Sequence, residues 1–234
     1  MTAANYKEFF HTNDLDQGCL GNCWFISAAT GIIQNFYLFR RVVPFDNSFD
    51  DTKYTGAFHF RFWYYGVWKD VVIDDYLPVD SRDRLIFSKN RDTQNEFWCA
   101  LLEKAYAKLC GSYEALEGGF TSDALIDMSG GVEETYNLQQ IRSNNRGGGS
   151  SKDAPKLNVS SFWDILESAI KKSSVIGCNI EANEAYSLRN ELKLPNGLVV
   201  GHAYIVTKLA KVESGRRAYK LMRLKNPWGN AVEW

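Results

Sequence analysis

The sequence has 234 residues, is 45% apolar, and carries 27 basic against 28 acidic residues for a net charge of -1. That length and apolar content require a packed core, in one large domain or two small lobes, and exclude disorder throughout. The balance of charge supplies no field that would select nucleic acid or an acidic membrane surface.

No charged segment followed by an apolar run opens the chain, and no run of about 20 apolar residues occurs, so neither a signal peptide nor a transmembrane segment is expected. Five cysteines, an odd number, with no CxxC pair, fit a reducing, cytoplasmic setting.

In chain order, the first informative stretch is Gln17-Gly18-Cys19-Leu20-Gly21-Asn22-Cys23-Trp24-Phe25-Ile26-Ser27-Ala28-Ala29. Ile26, Ala29 and Ile33 form one row at helical spacing and Trp24, Ala28 and Ile32 another, which predicts a helix buried on most sides. Asn22 is an N-cap residue type, and Gly18 and Gly21 allow the preceding loop to turn tightly. Cys23 then takes the first helical position, where unpaired N–H groups and the helix dipole favour a thiolate. Gln17 lies a few residues upstream, where its amide could reach the oxyanion of a tetrahedral intermediate. A cysteine in an apolar helix is more often a core residue than a nucleophile, so this reading depends on finding a base elsewhere.

Residues 40–54 read as loop, and Asp46-Asn47-Ser48-Phe49-Asp50-Asp51 within them imitates the start of a calcium-binding loop. Asp51 stands where such a loop needs glycine and no glutamate closes it, so the segment is a surface turn. Residues 57–65 alternate, with Phe58, Phe60, Phe62 and Tyr64 on one face, and residues 67–73 form a returning strand. His59, mid-strand, reads as a packed or cross-strand histidine. A helix over 96–109 follows, capped by Asn95 and stopped by Gly111, and another over 121–128 ends before Gly130-Gly131, a candidate hinge.

Residues 142–155, which include Gly147-Gly148-Gly149, have the composition of a flexible surface loop. A helix capped at Ser160/Ser161 runs to about Lys172 with Phe162, Ile165, Leu166, Ala169 and Ile170 inward. Strands over 174–180, 198–209 and 218–225 then make an antiparallel sheet, with Glu213-Ser214-Gly215-Arg216 as a hairpin turn. The expected organisation is α+β: residues 1–130 as a helical subdomain carrying Cys23, residues 131–234 as a β-rich one, and a cleft between them.

Only three histidines occur, His11, His59 and His202. No HExxH, zinc pattern, GxSxG elbow or phosphate-binding GxxxxGK[ST] loop is present. His202 opens a strand that is otherwise apolar, from which its ring could face the cleft as base and then acid in acyl transfer. Asn226, on the next strand, could fix the imidazole tautomer without adding charge, and Trp228 could keep water off that hydrogen bond. Cys19, Cys99, Cys110 and Cys178 read as inert thiols among apolar neighbours.

Gln17-Gly18-Cys19-Leu20-Gly21-Asn22-Cys23-Trp24, Gly201-His202-Ala203-Tyr204 and Asn226-Pro227-Trp228-Gly229 closely resemble three signature blocks of the calpain protease core. Val72-Ile73-Asp74-Asp75-Tyr76-Leu77-Pro78, the segment opening Asn95-Glu96-Phe97-Trp98 and Gly111-Ser112-Tyr113-Glu114 resemble calpain segments in the same order. The resemblance implies a papain-like cysteine protease fold, with a helical N-terminal lobe and an antiparallel C-terminal sheet lobe. It implies Cys23 as nucleophile, His202 as general base and acid, and Asn226 as its orienter, a known variant of the catalytic triad. It further implies Gln17 in the oxyanion hole, Trp228 as a shield, and the backbones of Gly119 and Gly201 beside the substrate.

The same resemblance implies activation by Ca2+ bound in each lobe. Asp14 and Glu96 match side-chain ligands of the first site, although Phe9-Phe10 stand where the family has a Gly-Gly turn. Glu233 matches one ligand of the second, whose remaining ligands the family draws from residues beyond position 234, so that site and the sheet are expected to be incomplete within this sequence. The expected activity is calcium-dependent, limited cleavage of intracellular proteins, with protein substrates, and an endogenous inhibitor protein or regulatory domains as further partners. The alternative is a non-catalytic calcium-responsive scaffold or inactive fragment. A transglutaminase-like acyl transfer is disfavoured by Asn226, where that chemistry uses an aspartate.

Overall fold

The computed structural model describes residues 15–50, 52, 54–90, 96–145, 157–181 and 192–228. Its centre is helix α1, Cys23–Ile33, in which every residue from Trp24 to Ile33 is buried. Such a helix needs cover on all sides. Phe25 stacks on Tyr106 with ring centroids 4.6 Å apart, and Trp24 meets the same tyrosine edge-on at 5.9 Å. On another side Gly31 has no room for a side chain. A Cβ there would lie 2.4 Å from Val175 Cγ1 and 2.9 Å from Ile205 Cγ1, so glycine lets helix and sheet approach closely.

Helix α2, Phe36–Val42, follows at once. Asn35 caps it, its side-chain oxygen accepting from the N–H groups of Tyr37 and Leu38 at 3.1 and 3.2 Å. Residues 40–42, expected as loop, are therefore helical; the capping asparagine was the signal. Strands β1, Ala57–Tyr64, and β2, Val67–Asp74, form an antiparallel hairpin. Phe58, Phe60 and Phe62 enter the core from β1 as the alternation predicts.

Helix α3, Trp98–Cys110, starts two residues later than expected, with Phe97 at its N-cap position; Asn95 lies outside the described residues. Gly111, at φ 112°, stops it. A 3-10 turn, Glu114–Leu116, leads to α4, Thr121–Ser129, whose C-cap is Gly130 in the left-handed region. Helices α5, Leu138–Asn145, and α6, Val159–Lys171, follow. Asn158 caps α6 in a reciprocal box with Ser161, so the cap lies before the Ser160/Ser161 pair where it was expected. Trp163 and Leu166 are its buried residues. Most of the expected loop over 142–155, Gly147-Gly148-Gly149 included, lies outside the described residues.

The later strands form a three-stranded antiparallel sheet in the order β3, Gly177–Asn179, β6, Ala203–Ser214, and β7, Arg217–Lys225. A separate pair joins β4, Leu192–Lys193, to β5, Val199–Val200. The expected strand over 198–209 is thus broken at Gly201, whose φ of +73° a residue with a Cβ would resist. Helix α1 packs against both α4 and β6, so elements from either side of residue 130 meet at it. No helix among the described residues is long and apolar enough to cross a membrane.

Candidate active site

Cys23 opens α1 at the end of a loop that is fixed on three sides. Below it, Asp16 and Lys89 exchange backbone hydrogen bonds at 2.9 and 3.1 Å, and the Cys19 N–H donates to the Ile86 carbonyl at 3.0 Å. Gly18 lies so close to that strand of chain that a Cβ would stand 2.3 Å from the Ile86 oxygen. Beside it, the Gly118 N–H donates to the Gly21 carbonyl at 3.0 Å, which attaches the segment before Gly119 to the cysteine loop. Across from it, the Gln17 N–H donates to the Pro227 carbonyl at 3.0 Å. The Gln17 side-chain amide donates from Nε2 to the Leu20 carbonyl at 2.7 Å, within the same loop. That bond uses one of the two N–H groups of the amide.

Asn22 does not cap α1 with its side chain as the sequence suggests. Its backbone carbonyl accepts from the Phe25 and Ile26 N–H groups at 3.0 and 3.1 Å, and its side chain turns away to the Glu103 carboxylate at 2.6 Å. No hydrogen bond among the described residues uses the N–H of Cys23.

His202 is 1% exposed. Its Nε2 lies 2.8 Å from Asn226 Oδ1, and the same oxygen accepts the Trp228 N–H at 3.0 Å. A backbone N–H can only donate, so the amide atom it meets is the oxygen, and that oxygen can share a hydrogen bond with imidazole only if Nε2 carries the proton. In the neutral ring the lone pair is then on Nδ1, the nitrogen a base would use. The indole of Trp228 lies against the imidazole at 4.6 Å between centroids and Tyr204 meets it edge-on at 5.1 Å. The Tyr204 hydroxyl accepts the Val199 N–H at 2.9 Å, which holds that ring in turn.

The sheet carrying His202 is joined to the helix carrying Cys23 by Ser27, whose buried hydroxyl donates to the Ala203 carbonyl at 3.0 Å. Gly119 lies flat on the Trp24 ring, since a Cβ would come within 2.5 Å of Trp24 Cε2. Trp24 is itself fixed by its indole N–H to the Leu116 carbonyl at 2.9 Å. Gly201, exposed and in the left-handed region with open space where a Cβ would stand, donates its N–H to the Ile180 carbonyl at 2.9 Å just before His202.

Of the carboxylates matched to calcium ligands, Asp14 and Glu233 lie outside the described residues. Glu96 Oε2 accepts a hydrogen bond from the Asn90 side chain. Among the described residues no group of three or more histidine, cysteine, aspartate or glutamate side chains could hold a metal ion. Calcium takes six to eight oxygens, of which Glu96 supplies the one matched donor within the described residues.

Burial pushes the Cys178 thiol up to about 11 and also raises those of Cys99 and Cys110, as inert thiols require. His59 is a surface cross-strand residue, its ring nitrogens 3.0 Å from Asp70 and 3.1 Å from Asp46. A cavity of about 350 Å³ between β2 and α3 has no site residue in its lining, and its two lysines are occupied. Lys104 bonds to the Tyr76 carbonyl at 2.6 Å and Lys108 to the Val72 carbonyl at 2.7 Å. Ser27, Tyr204 and Glu103 were not singled out from the sequence. Glu103 alone left a signal, a charged residue one helical turn from Cys99 and Tyr106 on the apolar stripe of α3.

A thiol at a helix start and an imidazole held by an amide are the parts from which cysteine hydrolases build a site for acyl transfer. Comparison with known proteins narrows the class: the calpain family cysteine protease profile matches residues 3–234, and the chain belongs to that family. It is 45% identical to human calpain-9 over 221 residues, 94% of this chain and 29% of that protein. To calpain-A of Drosophila melanogaster it is 41% identical over 233 residues, 98% of this chain and 25% of that protein. To the calpain-2 catalytic subunit of Gallus gallus it is 42% identical over 221 residues, 94% and 28% of the respective chains. The chain thus spans between a quarter and a third of the length of these relatives.

Proposed function

We propose that this chain carries the catalytic core of a cysteine endopeptidase with a papain-like arrangement, making limited cuts in extended segments of proteins. The observation that carries the reading is the Asn226 oxygen, which accepts from both the Trp228 N–H and His202 Nε2 and so directs the imidazole lone pair to Nδ1. Membership of the calpain family of cysteine proteases supports it.

In the proposed reaction His202 Nδ1 takes the proton of the Cys23 thiol, and the thiolate attacks the scissile carbonyl carbon. Negative charge gathers on the carbonyl oxygen, where the Cys23 N–H and the second N–H of the Gln17 amide stabilise it. The intermediate collapses as His202, now imidazolium, gives its proton to the departing amine, which leaves Cys23 acylated. Water, deprotonated by the same imidazole, then attacks the thioester and returns the free thiol. Asn226 keeps the ring in register through both halves, and Trp228 excludes water from the Asn226–His202 bond. Backbone groups at Gly119 and the carbonyl of Gly201, whose N–H is donated to the Ile180 carbonyl at 2.9 Å, pair with the substrate chain.

Calcium dependence enters this proposal through the family resemblance, with Glu96 and Asp14 as ligands in the first lobe and Glu233 in the second. The test is cleavage of casein with millimolar Ca2+ and with chelator. Calcium-dependent cleavage that Cys23→Ser abolishes is the expected result. Equal cleavage by the Cys23→Ser chain would overturn the reading.

A further inference from the structure

A fully buried carboxylate is costly to desolvate, and in a helix otherwise packed with apolar and aromatic side chains it calls for an explanation. Glu103, 0% exposed on α3, is such a group. Its Oε1 accepts from Asn22 Nδ2 at 2.6 Å and its Oε2 from the Ser88 N–H at 2.8 Å. Asn22 immediately precedes Cys23, and Ser88 ends the stretch of chain against which Gly18 and Cys19 pack. Both halves of the support under the cysteine therefore converge on one carboxylate.

The consequence lies in what Asn22 does not do. An asparagine at an N-cap ordinarily folds its side-chain oxygen back onto the second or third N–H of its own helix. Here the side chain makes no capping bond, and its Oδ1 is buried without a hydrogen-bond partner among the described residues. The carboxylate alone thus holds this rotamer, at the expense of the amide oxygen. With the side chain drawn down to Glu103, the residue before Cys23 is tied to the Ser88 segment instead of to its own helix.

We propose that Glu103 is a positioning residue for the oxyanion site: by tying Asn22, the residue before Cys23, to Ser88, it fixes the Asn22–Cys23 peptide whose N–H faces the developing negative charge. This rests on the peptidase reading above. It places the effect of Glu103 on the oxyanion rather than on the thiol itself, and the two can be separated by probe. A peptide aldehyde forms a hemithioacetal whose oxygen occupies the oxyanion site, whereas 2,2′-dipyridyl disulfide reacts with the same sulfur and develops no oxyanion.

Glu103→Leu is the variant of choice. Its side chain accepts from neither Asn22 Nδ2 nor the Ser88 N–H, so both bonds are lost, whereas a glutamine could keep both by accepting from Ser88 and donating to a flipped Asn22 amide. The full chain and the variant are compared in millimolar Ca2+, with active sites titrated. The expected result is a fall of about ten- to a hundredfold in kcat and in aldehyde affinity, in line with weakened oxyanion stabilisation. KM and the rate with dipyridyl disulfide should stay within about twofold. Unchanged aldehyde affinity and kcat would overturn the proposal, and so would a parallel loss on all probes tracking a lower Tm, the mark of a merely structural role. Should the variant fail to fold, Asn22→Ser, whose hydroxyl can return to cap its own helix, must give the same selective loss or the proposal falls. Failure of the wild-type chain to turn over peptide or bind aldehyde would overturn the peptidase reading and this inference with it.

Discussion

The hydroxyl of Ser27 donates to the carbonyl of Ala203 at 3.0 Å, one turn beyond Cys23 on the helix and one residue beyond His202 on the strand. It is a direct polar link between the element that presents the thiol and the element that presents the imidazole, and it is buried. Replacing Ser27 by alanine leaves the Ala203 carbonyl without that donor. The expected cost is about 1 to 2 kcal/mol of stability. Because the lost bond sets the spacing of helix and strand, kcat should fall as well, which steady-state kinetics at a temperature well below the variant's Tm will read. Loss of stability with full kcat would mean that the link does not set the catalytic geometry.

Asn226 acts on His202 only through tautomer and orientation. Asn226→Ala should therefore lower kcat by about ten- to a hundredfold while KM changes little, since the imidazole loses the acceptor that keeps its lone pair on Nδ1. The Trp228 N–H loses the same acceptor, so circular dichroism should accompany the kinetics to establish that the variant keeps its fold. A rise in KM with kcat intact would contradict the role.

Gly119 is fixed against an indole that cannot retreat, because Trp24 Nε1 is bonded to the Leu116 carbonyl at 2.9 Å. Gly119→Ala must then shift the chain outward into the path of the substrate. The expected signature is a KM several-fold higher for a peptide substrate, with the dipyridyl disulfide rate of Cys23 unchanged. Equal loss on both probes would place the damage at the cysteine loop instead.

Burial pushes the Glu103 carboxyl above its ordinary value of 4.5, with the Asn22 and Ser88 hydrogen bonds pulling it part of the way back. The folded chain then binds this proton more tightly than the unfolded chain. The contribution of Glu103 to stability is greatest below the ordinary carboxylate range and declines as pH rises through the raised value. Denaturation of wild type and Glu103→Gln across that range should show the difference between them moving in favour of the glutamine variant with rising pH. A difference independent of pH would show that Glu103 is not held at a raised value.

The sequence made the ends of the site legible more readily than its support. Cys23 could be placed because glycines and an apolar helical run frame it, and His202 because histidine is scarce and its strand is otherwise apolar. Local patterning also found the β1–β2 hairpin, since Phe58, Phe60 and Phe62 alternate cleanly. It could not show that Asn22 would forgo its own helix for Glu103, a partner 81 residues away, because capping propensity is a local rule and this bond is tertiary. The break at Gly201 was hidden for a similar reason, since Val199-Val200 and Ala203 onward read as one apolar run. Ser27 carried no signal at all: a serine in a buried helix acquires meaning only from the carbonyl it faces.

The central claim is that Cys23 is the nucleophile and His202 its base. The most direct measurement labels the chain with a peptidyl chloromethyl ketone in millimolar Ca2+ and maps the adduct among the five cysteines by mass spectrometry. Cys19, exposed and four positions away, is the internal control. The account predicts labelling at Cys23 well before Cys19, and loss of that preference in His202→Ala. Labelling of Cys23 no faster than Cys19, or a preference that survives removal of His202, would contradict it.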